Sequence, residues 1–370
     1  MKNIYFISGQ YYNFEDGRPT IGGVQTYVTE LSKICLEIGL KVYIYVFDPA
    51  ERKDLYNGCN IIGYNIIEDG KKRNDGVAKR VKSDMESEDD IVLVDTDTRV
   101  SLNVNFKHLV TIQHGICWDI PQLRNHSLTR MMLARGLSAR ATVKRLSMCE
   151  KVICVDYNFV NWYRALIEQP LTSLTVIPNF THIPPQVEKP RNKINIIFAR
   201  RLVEYRGTRV FTNAIKPILQ EYPNVFVTIA GDGPDKKWMK DQLHKFENVE
   251  FISYSSSESA KVHEDKHIAV VPTVGSEGTS LSLLEAMASH CAVVCSDVGG
   301  MTNIVLDGYN GKIVSAGNVE ELNSAIRFLI DDKIERERLA DNGFNTVSYS
   351  FSYEIWRERW INVFKSYIKR

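Results

Sequence analysis

The stretch IAVVPTVGSEGTSLSLLEAM, Ile268–Met287, decides how this chain is read. Its first five residues, Ile268–Pro272, form an apolar, β-branched run of buried-strand length, and Ser282–Ala288 is rich in helix formers. The segment therefore sits where a strand hands over to a helix. In an open parallel α/β sheet, ligands bind beyond the carboxyl ends of the strands, and a helix start there offers unpaired backbone N–H groups to an anion. A phosphate fits at Gly278–Leu281. Glu277 falls in the loop and Glu285 roughly two turns into the helix, so the two carboxylates can grip different parts of one extended ligand. A carboxylate beside a phosphate repels it; the pair makes sense as acceptors of hydrogen bonds from neutral hydroxyls, as on sugars. The plainer reading makes Glu285 a solvated helix residue and Glu277 a first-turn acid favoured by the helix dipole.

A second block, IIFARRLVEYRG (Ile196–Gly207), carries complementary chemistry. A strand over Asn195–Ala199 ends in Arg200 and Arg201, and Arg206 precedes Gly207, which can turn tightly into a helix. Fixed positive charge thus collects at the carboxyl end of a strand. Guanidinium groups fork two donors onto phosphate oxygens. The alternative is a solvated strand end.

Together these blocks resemble the retaining family-4 glycosyltransferases, the glycosyl transferases group 1 with the GT-B fold. Glu277, Gly278, Leu281, Glu285, Ala286 and Met287 match a pattern like E-G-x-x-L-x-x-x-E-A-M, and Arg201, Leu202 and Gly207 match G-R-L-x-x-x-K-G. Arg200 stands where the family usually has glycine, and reads as a surface residue at a place where small size matters near the diphosphate. Arg206 stands where lysine is usual. VTIAGDGP (Val227–Pro234), with Gly231 in its glycine-rich turn, GGVQTYVTELSKICLEIGLKVYIYVF (Gly22–Phe47), VICVDYNFVNWY (Val152–Tyr163) and VIPN (Val176–Asn179) extend the similarity over most of the chain.

The resemblance implies two Rossmann-like α/β domains facing across a cleft: residues 1–180 for the acceptor, completed by 352–370; a linker, 181–192; and 193–351 for the nucleotide sugar. It implies that Glu285 holds ribose hydroxyls and Glu277 sugar hydroxyls. Arg201 and Arg206, with the amides around Gly278, Thr279, Ser280 and Leu281, neutralise the diphosphate; Gly231 lies on the donor side. His114, after the strand Leu109–Ile112, contacts the donor sugar and steadies charge at the reacting carbon. Gly22 and Gly23, before a helix beginning near Val24, approach a phosphate or the acceptor; an ordinary loop entering a helix fits them as well. The implied reaction moves a sugar, with retention, from a nucleotide diphosphate to a hydroxyl of a glycan or lipid-linked acceptor in cell-surface polysaccharide assembly. It needs no metal and no cofactor, and a donor phosphate oxygen takes the acceptor's proton.

Bulk properties agree with this reading. A length of 370 residues suggests two domains, and 44% apolar residues suffice for a core in each. A net charge of +1 argues against a generic nucleic-acid binder. Seven cysteines without paired CxxC sets point to reduced thiols rather than zinc. Met1–Gln10 reads as a strand and not a signal peptide, and no run approaches the ~18 apolar residues of a membrane span. The expected location is the cytoplasm. Arg124–Arg145 holds six basic residues and no acid, interleaved with Leu128, Met131, Met132, Leu133 and Leu137. It fits either a basic amphipathic helix on an anionic membrane or a solvated helix face.

Apolar runs at Ile4–Ile7, Val42–Phe47, Ile61–Tyr64, Ile91–Val94, Leu109–Ile112 and Val152–Val155 alternate with helical patterns, and a second such series follows the proline-bearing stretch Pro178–Arg191. Glu68–Asp90 reads as a surface loop plus a short helix. The apolar face of Ser350–Ile368 suits a helix returning to the first domain. HEDKH (His263–His267) spells a zinc-protease motif, but His267 abuts a strand, so both histidines cannot share one helix face. Asp95 and Asp97 end a strand and serve equally as cap and turn residues. Two other functions share the architecture: a hydrolysing nucleotide-sugar epimerase and a non-catalytic sugar-nucleotide-binding subunit. A nicotinamide-dependent dehydrogenase lacks its G-x-G-x-x-G after the first strand.

Overall fold

The computed structural model of the chain describes residues 2–20, 22–67, 70–119, 126–167, 173–255, 258–275 and 277–368. Arg124 and Asn125 lie outside these, as do Glu68 and Asp69. The chain divides into two compact units. Unit 1 comprises residues 1–114, 127–177 and 356–370, and unit 2 residues 115–126 and 178–355. Residues 115–119 and 126 thus group with unit 2.

Unit 1 is built on ten strands: β1 (Asn3–Ile7), β2 (Tyr12–Asn13), β3 (Arg18–Pro19), β4 (Lys41–Asp48), β5 (Arg52–Tyr56), β6 (Cys59–Asn65), β7 (Ile91–Val94), β8 (His108–Gln113), β9 (Lys151–Cys154) and β10 (Leu174–Val176). Eight form one sheet in the order β10-β9-β8-β7-β1-β4-β6-β5. All its pairings are parallel except β5 with β6. That hairpin turns at Asn57 and Gly58, whose φ angles of 47° and 82° suit the two-residue turn that matches strand twist. β1 and β7 are buried throughout, as continuous Val/Ile/Leu/Phe runs must be when helices cover both faces of a sheet.

Unit 2 has six strands: β11 (Ile194–Ala199), β12 (Val225–Ala230), β13 (Val249–Ile252), β14 (Ile268–Val271), β15 (Ala292–Ser296) and β16 (Lys312–Val314). They form a parallel sheet ordered β13-β12-β11-β14-β15-β16. Alternate residues feed two cores, one on each face. Ile196 and Phe198 share a core with Phe211, Met239, Leu322 and Ile326; Ile197 and Ala199 share the other with Leu283, Leu284 and Met301.

The C-terminal helix Tyr353–Ile368 belongs to unit 1 from Trp356 onward. Trp356 and Trp360 are buried; the Trp360 Nε1–H donates to the Tyr27 hydroxyl at 2.9 Å, and the Lys2 ammonium donates to the Tyr367 carbonyl. Glu68–Asp90 contains more helix than its polarity suggests: Arg73–Asp84 is helical because Val77, Ala78 and Val81 fall on one buried face. No helix among the described residues is long and apolar enough to cross a membrane.

Candidate functional site

Each sheet reverses direction of winding at one place. In unit 2, β11 pairs with β12 on one side and β14 on the other, so the loops leaving β11 and β14 diverge there and open a crevice at their carboxyl ends. Arg200 follows β11 directly, and Thr273 and Glu277 follow β14. The Arg200 guanidinium donates through Nη2 to Glu277 Oε2 at 2.6 Å and through Nη1 to Thr273 Oγ1 at 2.7 Å. The Thr273 hydroxyl donates to the same Oε2 at 3.1 Å, and Arg206 Nη1 also donates to it. Side chains from both loops therefore converge on one carboxylate oxygen.

Electrostatics follow from this arrangement. Burial alone would raise the Glu277 carboxyl, yet the Arg200 and Arg206 charges beside it hold it below the ordinary glutamate value. Burial lowers Arg200, whose side chain is 5% exposed, while Arg206 keeps 24% of its side chain in solvent. Arg201 is exposed, and among the described residues its side chain makes no ion pair.

Glu277 leads through Gly278, Thr279 and Ser280 into the helix Leu281–Ala288. The helix begins at Leu281, so Glu285 sits in its second turn and not at its end. Burial pushes the Glu285 carboxyl up to about 7, against the pull of the Ser259 hydroxyl and the Arg200 charge. Asn179 Nδ2 donates to the Thr279 carbonyl at 2.6 Å and pins the turn. The loop after β15 closes on it from behind: the Gly300 N–H donates to the Glu277 carbonyl at 3.1 Å, and at Gly299 (φ 55°) a Cβ would fall 2.0 Å from that carbonyl oxygen. Gly231 (φ 146°) plays a comparable part, since a Cβ there would meet the Arg200 carbonyl at 2.0 Å. Its smallness lets β12's exit pack against the arginine-bearing loop.

The residues the sequence reading missed are Arg200, Thr273 and the Gly299–Gly300 pair. Arg200 is not the surface residue expected from its place in the motif; it is buried at 8% exposure because its side chain turns inward to Glu277. Two signals for the others were present: a threonine just past the β14 proline, and a double glycine after the next strand.

Unit 1 winds about β1, which pairs with β4 and β7. There Asp95 is buried, with Oδ2 accepting from the Ser8 hydroxyl and Oδ1 from Arg99 Nη1, both at 2.6 Å. Asp97 accepts from Thr142 Oγ1 at 3.2 Å. His114 Nε2 lies 2.8 Å from the Asp95 carbonyl, which can only accept, so Nε2 carries the proton and Nδ1 the lone pair. Burial lowers this imidazole to about 4, leaving it neutral at ordinary pH; its ring meets Tyr27 edge-on at 5.5 Å. Gly22 caps and Gly23 begins the helix Gly23–Glu37, and the Gly22 carbonyl accepts from the Thr26 N–H at 3.0 Å.

The HEDKH histidines separate as their spacing implies: the helix Ser259–His263 ends at the first, and the second donates from Nε2 to the Pro190 carbonyl at 3.0 Å while Nδ1 accepts from the Asn195 N–H at 3.0 Å. Among the described residues, no three His, Cys, Asp or Glu side chains cluster to hold a metal ion.

Residues 179–346 match the family model described as glycosyl transferases group 1. Over nearly the whole length, the chain is 24% identical across 347 residues to an uncharacterized glycosyltransferase of Methanocaldococcus jannaschii, covering 91% of this chain and 92% of that one. Several other curated relatives are matched over about half their length or less. One is a second M. jannaschii glycosyltransferase, 28% identical over 174 residues, which make up 46% of this chain and 44% of that one. Among solved structures, sucrose-phosphate synthase from Thermosynechococcus elongatus shares 17% identity with a TM-score of 0.79, covering 100% of both chains. The Anabaena protein HepE in complex with UDP-glucose shares 16% identity with a TM-score of 0.73, over 99% of this chain and 100% of that one. These structural likenesses are of fold: two parallel-sheet Rossmann-like domains of the GT-B kind.

Proposed function

With residues 179–346 belonging to the group 1 glycosyl transferases, we propose that this protein transfers a sugar, with retention and without a metal ion, from a nucleotide diphosphate to a hydroxyl of a glycan or lipid-linked acceptor. The observation that carries the reading is the state of Glu277. Its Oε2 is held by Arg200, Arg206 and Thr273 while Oε1 has no partner among the described residues, so one carboxylate oxygen stands ready to accept from a sugar hydroxyl beside fixed positive charge.

Arg201 and Arg206, with the amides that open the helix Leu281–Ala288, stabilise the diphosphate as it departs. Charge develops there as the sugar–oxygen bond breaks, and preorganised donors favour that state over the ground state. Glu285, one turn on, accepts from the ribose hydroxyls. His114, neutral and oriented by the Asp95 carbonyl, contacts the donor sugar, and Gly22 and Gly23 serve the acceptor. A donor phosphate oxygen removes the acceptor's proton. HepE supports a nucleotide-sugar donor by being solved with UDP-glucose. A thermal-shift screen over UDP-, GDP-, TDP- and ADP-sugars tests the reading, since a ligand of the native state raises its stability. No stabilisation by any donor overturns it. Free epimerised sugar formed without acceptor would assign an epimerase instead, and a Glu277→Ala variant that leaves product formation unchanged would assign a binding subunit.

A cytoplasmic location is supported by seven cysteines that are all free. A place on the inner membrane face, where a lipid-linked acceptor of cell-surface polysaccharide assembly would lie, is supported by the helix Leu128–Leu146. Ala139, Thr142 and Leu146 face inward, and Arg130, Leu133, Leu137, Arg140 and Lys144 recur at helical spacing on the opposite side. Leu128, Met132, Leu133 and Leu137 are each more than half exposed. Such a face suits anionic headgroups with apolar chains beneath. Co-sedimentation with vesicles containing phosphatidylglycerol, but not with pure phosphatidylcholine, is expected, and Leu133→Ser with Leu137→Ser should abolish it. Equal recovery with both vesicle types would remove the membrane from this reading.

A further inference from the structure

We infer that Arg200 is a positioning residue for donor binding: by occupying and neutralising one oxygen of Glu277, it leaves the other oxygen for a sugar hydroxyl and the charge of Arg206 for the diphosphate. The inference rests on the sugar-transfer reading above and adds a role which that reading gives to no residue.

The geometry separates this role from that of an ordinary ion pair. A guanidinium that serves only to bind a carboxylate does so best by placing two parallel N–H groups on its two oxygens. Arg200 instead spans two acceptors, Glu277 Oε2 at 2.6 Å and Thr273 Oγ1 at 2.7 Å, and Thr273 passes its own proton to the same Oε2 at 3.1 Å. The result is a closed three-membered ring of hydrogen bonds that anchors Oε2. Among the described residues every donor lands on Oε2, and Oε1 has none.

Charge is partitioned in the same direction. Glu277 faces two cations, Arg200 and Arg206, so the cluster keeps one net positive charge. Arg200 is the more buried of the two, at 5% side-chain exposure against 24%. Arg206 Nη1 also donates to Oε2, but its side chain keeps solvent exposure, so of the two cations it is the one an anion from solvent meets. Arg200 also lies near Glu285 and Tyr254 on the adjoining elements, so its charge reaches both acids of the motif. Without it, Arg206 would be the sole cation against Glu277, and an incoming diphosphate would have to compete with that carboxylate for it.

The test compares Arg200→Gln and Arg200→Lys with the unaltered protein. Glutamate labelled at Cδ with carbon-13 reports Glu277 directly in the ligand-free protein, its resonance assigned by its loss in Glu277→Gln. In Arg200→Gln its titration midpoint is expected to rise, and Arg200→Lys should restore part of the shift. In parallel, whichever of UDP, GDP, TDP and ADP stabilises the unaltered protein most is titrated calorimetrically beside its nucleoside. Arg200→Gln should weaken the diphosphate at least about tenfold, the size of one lost hydrogen bond to a charged group, with the nucleoside unchanged and Arg200→Lys intermediate. An unmoved Glu277 titration, or equal losses for diphosphate and nucleoside, overturns the inference. Failure of the unaltered protein to bind any nucleoside diphosphate overturns the sugar-transfer reading instead, and the Glu277 titration still decides whether Arg200 neutralises that carboxylate. Near-equal melting temperatures of the variants establish that the comparison is between folded proteins.

Discussion

Asp95 in unit 1 and Glu277 in unit 2 occupy equivalent places, each just beyond the strand beside its sheet's winding reversal, and each meets an arginine and a hydroxyl. Their oxygens are used differently. Asp95 gives Oδ2 to Ser8 and Oδ1 to Arg99, so its hydrogen-bonding capacity is directed inward on both sides. Glu277 collects three donors on one oxygen and, among the described residues, none on the other. Their ionisation diverges as well: burial dominates at Asp95 and raises it, whereas two arginines overcome burial at Glu277 and lower it. One doubly wound architecture thus yields a structural tie in one unit and the proposed ligand acceptor in the other, and the placing of donors on the two carboxylate oxygens distinguishes them.

The largest expected effect breaks the pair apart. Glu277→Gln should reduce sugar transfer by about 10²–10³-fold, the range for loss of one preorganised polar contact at a reacting group, with little change in melting. Asp95→Asn should do the reverse, lowering stability by about 1–3 kcal/mol through a poorly satisfied buried group while turnover per folded molecule stays within about threefold. Steady-state rates alongside thermal melts check both; a larger rate loss at Asp95 would move that residue into the catalytic machinery.

How far this contrast was legible in the sequence depends on range. Most strands of both sheets were legible because runs such as IYFI and IAVV must be buried on both faces; the short edge strand β10, Leu174–Val176, was not. Glu277 and Glu285 were legible because their spacing along one loop and helix is local. The β5–β6 hairpin was missed although Asn57–Gly58 signals it, since β5 (RKDLY) is an exposed, charged edge strand without apolar alternation. Ser8 and Asp95 lie 87 residues apart, and nothing local announces their bond. Which of two adjacent arginines turns inward was equally hidden. Arg200 follows the strand pleat and is held by the close approach of Gly231 to its backbone, a contact made only once β11 and β12 lie side by side.

An intermediate effect concerns pH and sharpens the comparison within unit 2. Glu285 has a folded value of about 7, above its ordinary 4.5, so the native state binds more protons than the unfolded chain between those values. Its contribution to stability is fully present below the ordinary value and is lost as pH rises through about 7. Glu277 is lowered and behaves oppositely: its contribution holds above the ordinary glutamate value and disappears as pH falls below it. If Glu285 accepts from ribose as proposed, nucleotide binding needs it ionised, and affinity should fall by up to about tenfold per unit below pH 7. Glu285→Gln should bind more weakly overall and flatten that slope. Calorimetric titrations from about pH 5.5 to 8 would decide it, and an unaltered slope in the variant would detach Glu285 from the ribose.

The smallest effect should come from metal removal. Arginines and helix-start amides are assigned the charge-stabilising work that a divalent ion does elsewhere, so chelation followed by dialysis should alter turnover by less than about twofold. Recovery of a lost rate by added magnesium or manganese would show that the arginines do not suffice.

The C-terminal helix has a consequence for how the protein is made. Tyr27, 2% exposed in the finished fold, is covered by Trp356 and Trp360, which leave the ribosome only after all of unit 2. The roughly 180 residues between the end of β10 and Trp360 take about 10–40 s to synthesise at usual rates. Throughout that interval Tyr27, on the helix Gly23–Glu37, lacks the two tryptophans that bury it in the finished fold, so the first unit closes over this side chain only when synthesis is nearly done.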